Sequence, residues 1–217
     1  MFFARRIPAL FLFSLLTGAV ILMAPEAAAQ TSHPWQFKRD KDGIRVEIRK
    51  VEGSSIDEYR GEMTLPDSLD RVVNFYENDG KVTEWFYNCK GYRLFRRESE
   101  ARQLYYFELE MPWPVSDRDV VFARQRSRDP DDGSVLFEVR EMPGEMPEQE
   151  DRVRMTALRG FWRFTPLPDG GTRVTLQQHG EPAGRLPAAL VNRLVVDIPY
   201  HTLDNFRRQL SREGSSV

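Results

Sequence analysis

Ile44, Val46 and Ile48 alternate with Arg45, Glu47 and Arg49. That period of two sets one face of a strand against a core, and the turn pair Asp42-Gly43 stands just before it. Beyond Gly53, residues 55–63 predict a second strand. At Thr64-Leu65-Pro66-Asp67 the period changes. Leu69, Val72, Val73 and Tyr76 fall at i, i+3, i+4 and i+7, one apolar stripe of a helix with a proline near its first turn. Asn78-Asp79-Gly80 ends that helix, and residues 81–85 predict a short helical turn.

Strand patterns then follow in series. Residues 87–97 and 102–111 are rich in tyrosine, phenylalanine and leucine, and Pro112-Trp113-Pro114 breaks the run. Residues 120–127 and 135–141 resume it across the turn Asp129-Pro130-Asp131-Asp132-Gly133. A polar loop over 142–151 precedes one long strand at 152–165. Asp169-Gly170-Gly171 makes the hairpin back to 172–179. A terminal helix is predicted over 188–210, with Leu190, Leu194 and Ile198 as its buried stripe and Leu203, Phe206 and Leu210 continuing it. Pro199 lies inside, where it removes one helix hydrogen bond and predicts a kink. Without βαβ alternation the sheet should be antiparallel, in one α+β domain. One amphipathic helix cannot fill the concave face of a long twisted sheet, so a ligand-sized cavity is expected beside it.

Composition narrows the function by exclusion. A net charge of -2 gives no bulk reason to expect nucleic acid or an anionic surface as partner. The single cysteine, Cys89, excludes a disulfide scaffold or a multi-cysteine metal site. His33, His179 and His201 show no ligand spacing, so neither metal nor cofactor is expected. The first 29 residues read as a secretory signal. Arg5-Arg6 is a basic start, residues 10–23 are uncharged and apolar, and Ala27-Ala28-Ala29 supplies the small-residue cleavage pattern. The apolar run is shorter than the ~20 residues a membrane span needs, which argues against a retained anchor. Residues 30–217 then form the folded domain of an exported, periplasmic protein.

The stretch Met111-Pro112-Trp113-Pro114-Val115-Ser116-Asp117-Arg118-Asp119-Val120-Val121 resembles the signature of START domains, the lipid-transfer domains related to the steroidogenic acute regulatory protein. Five further matches stand in order along the chain: Trp35 with Asp42-Gly43-Ile44-Arg45-Val46, Glu84-Trp85, Gly144-Glu145-Met146-Pro147-Glu148-Gln149 with Val153-Arg154, Trp162 with Pro166, and Glu181-Pro182-Ala183-Gly184-Arg185-Leu186-Pro187. The resemblance implies a helix-grip fold, a curved antiparallel sheet wrapped around the long C-terminal helix and enclosing a hydrophobic tunnel. It implies a single lipid ligand (a sterol, phospholipid or similar molecule), carried or sensed in the cell envelope without catalysis and without a cofactor. The partners expected are that lipid and, transiently, a membrane; nucleic acid is not expected, and the chain should be a monomer. The alternative is a helix-grip enzyme of the cyclase or aromatase type, which needs an acid, base or nucleophile held near its substrate.

Trp85, Phe107, Phe122, Leu194 and Ile198 are the apolar candidates for the lipid site. Glu108 and Arg124 match positions where sterol-binding members place an acid and a base inside the tunnel. Two buried charges persist only when paired. Strand parity argues against Glu108, which shares a face with Leu104, Tyr106 and Glu110, whereas Tyr105, Phe107, Leu109 and Met111 make the more apolar face. Arg118 is either a polar group at the tunnel or, with Asp119, a local anchor of loop to strand. Trp113 either touches lipid or membrane at the tunnel mouth or plugs the loop onto the sheet. Cys89 reads as a small buried residue and His201 as a helix edge residue.

Overall fold

Asp42 and Gly43 both take positive φ (53° and 72°), the mirror-image two-residue turn whose twist matches that of the strands it joins. They connect β1 (Gln36–Lys41) to β2 (Ile44–Arg49), with Lys41 opposite Ile44. This is a computed structural model that describes residues 33–214, apart from 185 and 187. The expected signal segment lies outside the described residues. The remaining elements are β3 (Glu58–Leu65), α1 (Leu69–Tyr76), a 3-10 turn (Asp79–Lys81), α2 (Val82–Trp85), β4 (Cys89–Arg97), β5 (Arg102–Leu109), β6 (Asp117–Arg128), β7 (Val135–Glu141), β8 (Arg152–Arg154), β9 (Thr156–Pro166), β10 (Thr172–Glu181) and α3 (Ala188–Gly214).

The ten strands make one sheet in the order β1-β2-β3-β10-β9-β7-β6-β5-β4, with β8 beside β6. All neighbours are antiparallel except β8, which runs parallel to β6. The single strand expected over 152–165 is therefore two. Met155 donates its amide to the Asp119 carbonyl (2.8 Å), and Ala157 follows at φ 55°. The chain thus leaves β6 and re-enters the sheet beside β7 and β10. β1 was not anticipated; its residues are mostly exposed, so no alternation marks it. Thr64 and Leu65 belong to β3 rather than to a helix start. Leu65 is buried and pairs with Thr172, which holds the strand extended up to Pro66.

α3 lies against β2 and β3. Gly61 is the point of closest approach: a Cβ there would stand 2.8 Å from Leu203 Cδ1 and 3.0 Å from Pro199 Cβ. Pro199 is inside α3 and buried at this contact. The helix's buried line runs through Val191, Val195, Leu203, Phe206 and Leu210. Leu190, Leu194 and Ile198, expected on that line, are only half-buried; Leu190 and Leu194 stand one position off it.

Two apolar clusters fill the concave side. One joins α1, α2 and α3 to β2, β3, β7, β9 and β10 around Trp85, Trp162, Phe164 and Phe206. The other joins β5, β6 and β7 through Tyr105, Phe107, Val120, Phe122 and Val139. Fully burying such side chains contributes about 1.5–3 kcal/mol each. The opposite side of β5 and β6 is buried too, at Leu104, Tyr106, Val121 and Ala123. The 142–151 loop crosses it, tied down by Arg96 to Glu145 and by Arg154 to the carbonyls of Met146 and Pro147.

Candidate functional site

Between the two clusters lies a cavity. It offers about 130 Å³ to the centres of water-sized molecules, inside about 1110 Å³ of space that includes its opening. One water needs only ~10–15 Å³ on that measure, so this is a ligand-sized space rather than a packing void. Strand parity explains most of its wall. Phe107 and Leu109 from β5, Val120, Phe122 and Arg124 from β6, and Val139 from β7 are the inward members of their strands. α3 closes it with Val191, Leu194, Val195 and Ile198, and α2 supplies Trp85.

Arg124 is a buried charge in this wall, with its side chain only 6% exposed, and Asp57 is another at the far side of the cavity. Its Nη1 reaches Asp79 Oδ1 at 3.0 Å and the Tyr92 hydroxyl at 3.5 Å, and its Nη2 donates to the Tyr105 hydroxyl. Tyr105 in turn donates to Asp79 Oδ2 at 2.8 Å. The guanidinium carbon stands 4.4 Å from the Tyr105 ring centre, a favourable cation–π distance. Burial works against the charge, but Tyr92, Tyr76, Tyr105 and Asp79 outweigh it and hold the Arg124 pKa above its ordinary value. Arg124 is therefore a permanent cation neutralised by one carboxylate, with Tyr92 carrying its polar edge into the cavity.

A second polar group lies across the sheet. Tyr59 on β3 donates its hydroxyl to Gln178 Oε1 on β10 at 2.5 Å, and both residues line the cavity. Burial pushes the Tyr59 pKa up, so the phenol keeps its proton.

The sequence candidates divide. Trp85, Phe107, Phe122, Arg124, Leu194 and Ile198 all line the cavity. Glu108 does not: it points to the other side of β5 and pairs with Arg152 Nη1 at 2.7 Å. The physical reason is the parity already noted, one residue out of phase with Phe107. Arg118 also stays outside. It donates to the carbonyls of Ser116, Pro182 and Ala183, tying the start of β6 to the approach to α3. Asp119 takes Arg154 on both oxygens (2.8 and 3.0 Å) and the Tyr106 hydroxyl (2.9 Å). Burial alone would raise its pKa, but those donors hold it below the usual carboxylate range. Trp113 is 92% exposed, so it does not plug the loop onto the sheet. Cys89 is half-buried, and burial pushes its thiol up to about 12.

Asp79, Tyr92, Tyr105, Gln178 and Tyr59 were not singled out from the sequence. Asp79 looked like a helix stop, and the others like ordinary strand residues. Only the inward parity of Tyr105 with Phe107, and of Gln178 with Leu176, carried a signal.

The START domain family model matches residues 25–213. The chain belongs to the START family. A protein of Pseudomonas aeruginosa, itself uncharacterised, is 32% identical over 194 residues, covering 89% of this chain and 94% of that one. Human phosphatidylcholine transfer protein is 25% identical over 178 residues, covering 77% of this chain and 82% of its own. Among solved structures, a STAR-related lipid transfer protein from Xanthomonas axonopodis matches with a TM-score of 0.75 at 33% identity, covering 82% of this chain and 98% of that one. Human StAR-related lipid transfer protein 5 matches at 0.76 with 19% identity, over 87% and 90% of the two chains, a likeness of fold. The expected helix-grip architecture of a START domain is therefore the architecture found, and lipid binding and transfer is the general activity that membership supports.

Proposed function

We propose that this START domain takes up one lipid in the cavity beneath α3 and carries it through the cell envelope, without catalysing a reaction on it. The observation that carries this reading is the cavity itself: a wall mostly of aliphatic and aromatic side chains, closed by one helix, with few polar groups, of which Arg124 and Tyr59 are held by neighbouring side chains. Such a wall binds an apolar molecule. Arg124 is a fixed cation, Tyr59 keeps its proton, and the Cys89 thiol is held un-ionised at neutral pH. Relatives named for phosphatidylcholine transfer and STAR-related lipid transfer support the same activity.

Export rests on the N-terminal segment, which predicts cleavage after Ala29 and a mature chain in the periplasm. Exposed Trp113, on the loop between β5 and β6, is the candidate for transient membrane contact by a monomeric carrier. Native mass spectrometry of protein purified from the envelope tests the whole reading. The expected result is a species beginning near Gln30 with about one lipid per chain, released on denaturation. A folded protein that neither retains lipid nor takes it up from extracts would overturn the carrier assignment.

A further inference from the structure

Strand register places two polar groups of the cavity, Arg124 and Gln178, on one line. Arg124 pairs with Val139, Val139 with Gly160, Gly160 with Gln178, and Gln178 with Tyr59. Residues directly opposite in antiparallel strands project to the same side, so this row runs across the concave face. Three interstrand spacings separate Arg124 from Gln178, about 14 Å along the sheet. Between them the row holds only Val139 and a glycine.

Gly160 keeps that span low as well as apolar. A Cβ there would stand 2.2 Å from the Gln177 carbonyl oxygen, so β9 and β10 approach too closely for any side chain. The row is thus an apolar floor with a polar group at each end.

The chemistry of the two ends is alike. At the first, Tyr92 accepts from Arg124 and keeps its own hydroxyl proton, with the Arg124 charge already balanced by Asp79. At the second, Tyr59 occupies Gln178 Oε1, which fixes the amide orientation. Gln178 Nε2 makes no hydrogen bond among the described residues and remains a donor. Asp57 lines this part of the cavity too, its carboxylate paired with Lys50 at 2.8 Å. An anionic group arriving there would meet that carboxylate. Each end therefore has an N–H or O–H for a neutral oxygen, from Tyr92 at the first and from Gln178 at the second, where Asp57 and His179 also line the cavity.

We propose that the cavity is built for an uncharged, elongated amphiphile with an oxygen acceptor at each end, one held at Tyr92 and Arg124 and the other at Gln178. This rests on the carrier reading and narrows it from lipids in general to two-headed ones. A glutamine that merely seats Tyr59 would have no bearing on which ligand binds.

The test is displacement of a bound fluorescent sterol or phospholipid by α,ω-alkanediols of graded length, against 1-alkanols of the same lengths. Diols near the matching length should bind about threefold to tenfold tighter than the alkanols, the yield of one added hydrogen bond. Q178L combined with Y59F removes both partners of the inner pair, leaves no orphan, and should bring the affinity of the diols down to that of the alkanols. Equal affinity of diols and alkanols for the native protein would overturn the proposal. So would a variant that weakens both ligands equally, or a diol advantage that survives the double substitution. If the fluorescent lipid itself never binds, the carrier reading fails, and this inference fails with it.

Discussion

Removing the carboxylate of Asp79 should cost this protein more than removing the arginine it neutralises. The asymmetry follows from burial: the Arg124 side chain is 6% exposed and that of Asp79 30%. Asp79→Asn leaves a buried guanidinium with only tyrosine hydroxyls and a weaker amide partner. Breaking a fully buried pair by deleting one member costs about 3–5 kcal/mol. Here Asp79 is partly hydrated and Tyr92 and Tyr105 remain in place, so about 2–3 kcal/mol is expected. Arg124→Met removes the charge that water cannot reach, keeps most of the packing volume, and lets Asp79 hydrate. Its cost is the lost contact over the Tyr105 ring and the hydrogen bonds to the Tyr92 and Tyr105 hydroxyls, about 1–2 kcal/mol. The double variant should cost less than the sum, by about 1–2 kcal/mol. Urea unfolding of all four proteins measures this, provided the slope with denaturant stays constant. Each kcal/mol should also move the melting temperature by about 2–4 °C in a chain of this size. An Arg124→Met variant less stable than Asp79→Asn, or additivity within ~0.5 kcal/mol, would refute the view that Asp79 serves to compensate a buried cation.

Gly160→Ala should destabilise by about 3 kcal/mol, because its Cβ meets backbone of β10 that cannot swing away; a melting temperature within a degree or so of the native protein would contradict the close approach. Gly61→Val should also be strongly destabilising, since Leu203 and Pro199 of α3 already occupy the space, and recovery by Leu203→Ala in the same chain would locate the clash. The Asp119 pKa is lower in the folded protein than in the unfolded chain, so its contribution is fully present above the unfolded value near ~4 and fades as pH falls through the lower, folded value. Asp119→Asn should therefore flatten the loss of stability in acid, seen as a smaller difference between melts at neutral and acid pH. Trp113→Ala should leave stability within about 0.5 kcal/mol yet slow lipid transfer between vesicles severalfold; unchanged transfer would show that this loop does not meet the membrane.

Local pattern was enough to determine most of the elements and the family. The alternation at Ile44, Val46 and Ile48 gave β2, the stripe at Val72, Val73 and Tyr76 gave α1, and the ordered short motifs around Trp113 and Glu145 gave the START resemblance. Parity within one strand also sorted Phe107 from Glu108, because a period of two needs no knowledge of the partner strand. What local pattern could not carry is anything that depends on which strands become neighbours. β1 is exposed on an edge and shows no alternation, and the break at Met155 arises only because Asp119 of β6 receives its amide. The polar ends of the cavity are the clearest case. Asp79, Tyr92, Tyr105 and Arg124 are spread over 45 positions of sequence, and Tyr59 and Gln178 over 119. A hydrogen-bonded group at that separation exists only after the sheet has closed around α3. Sequence periodicity reports which side of an element faces the core, whereas register and curvature decide which side chains meet there.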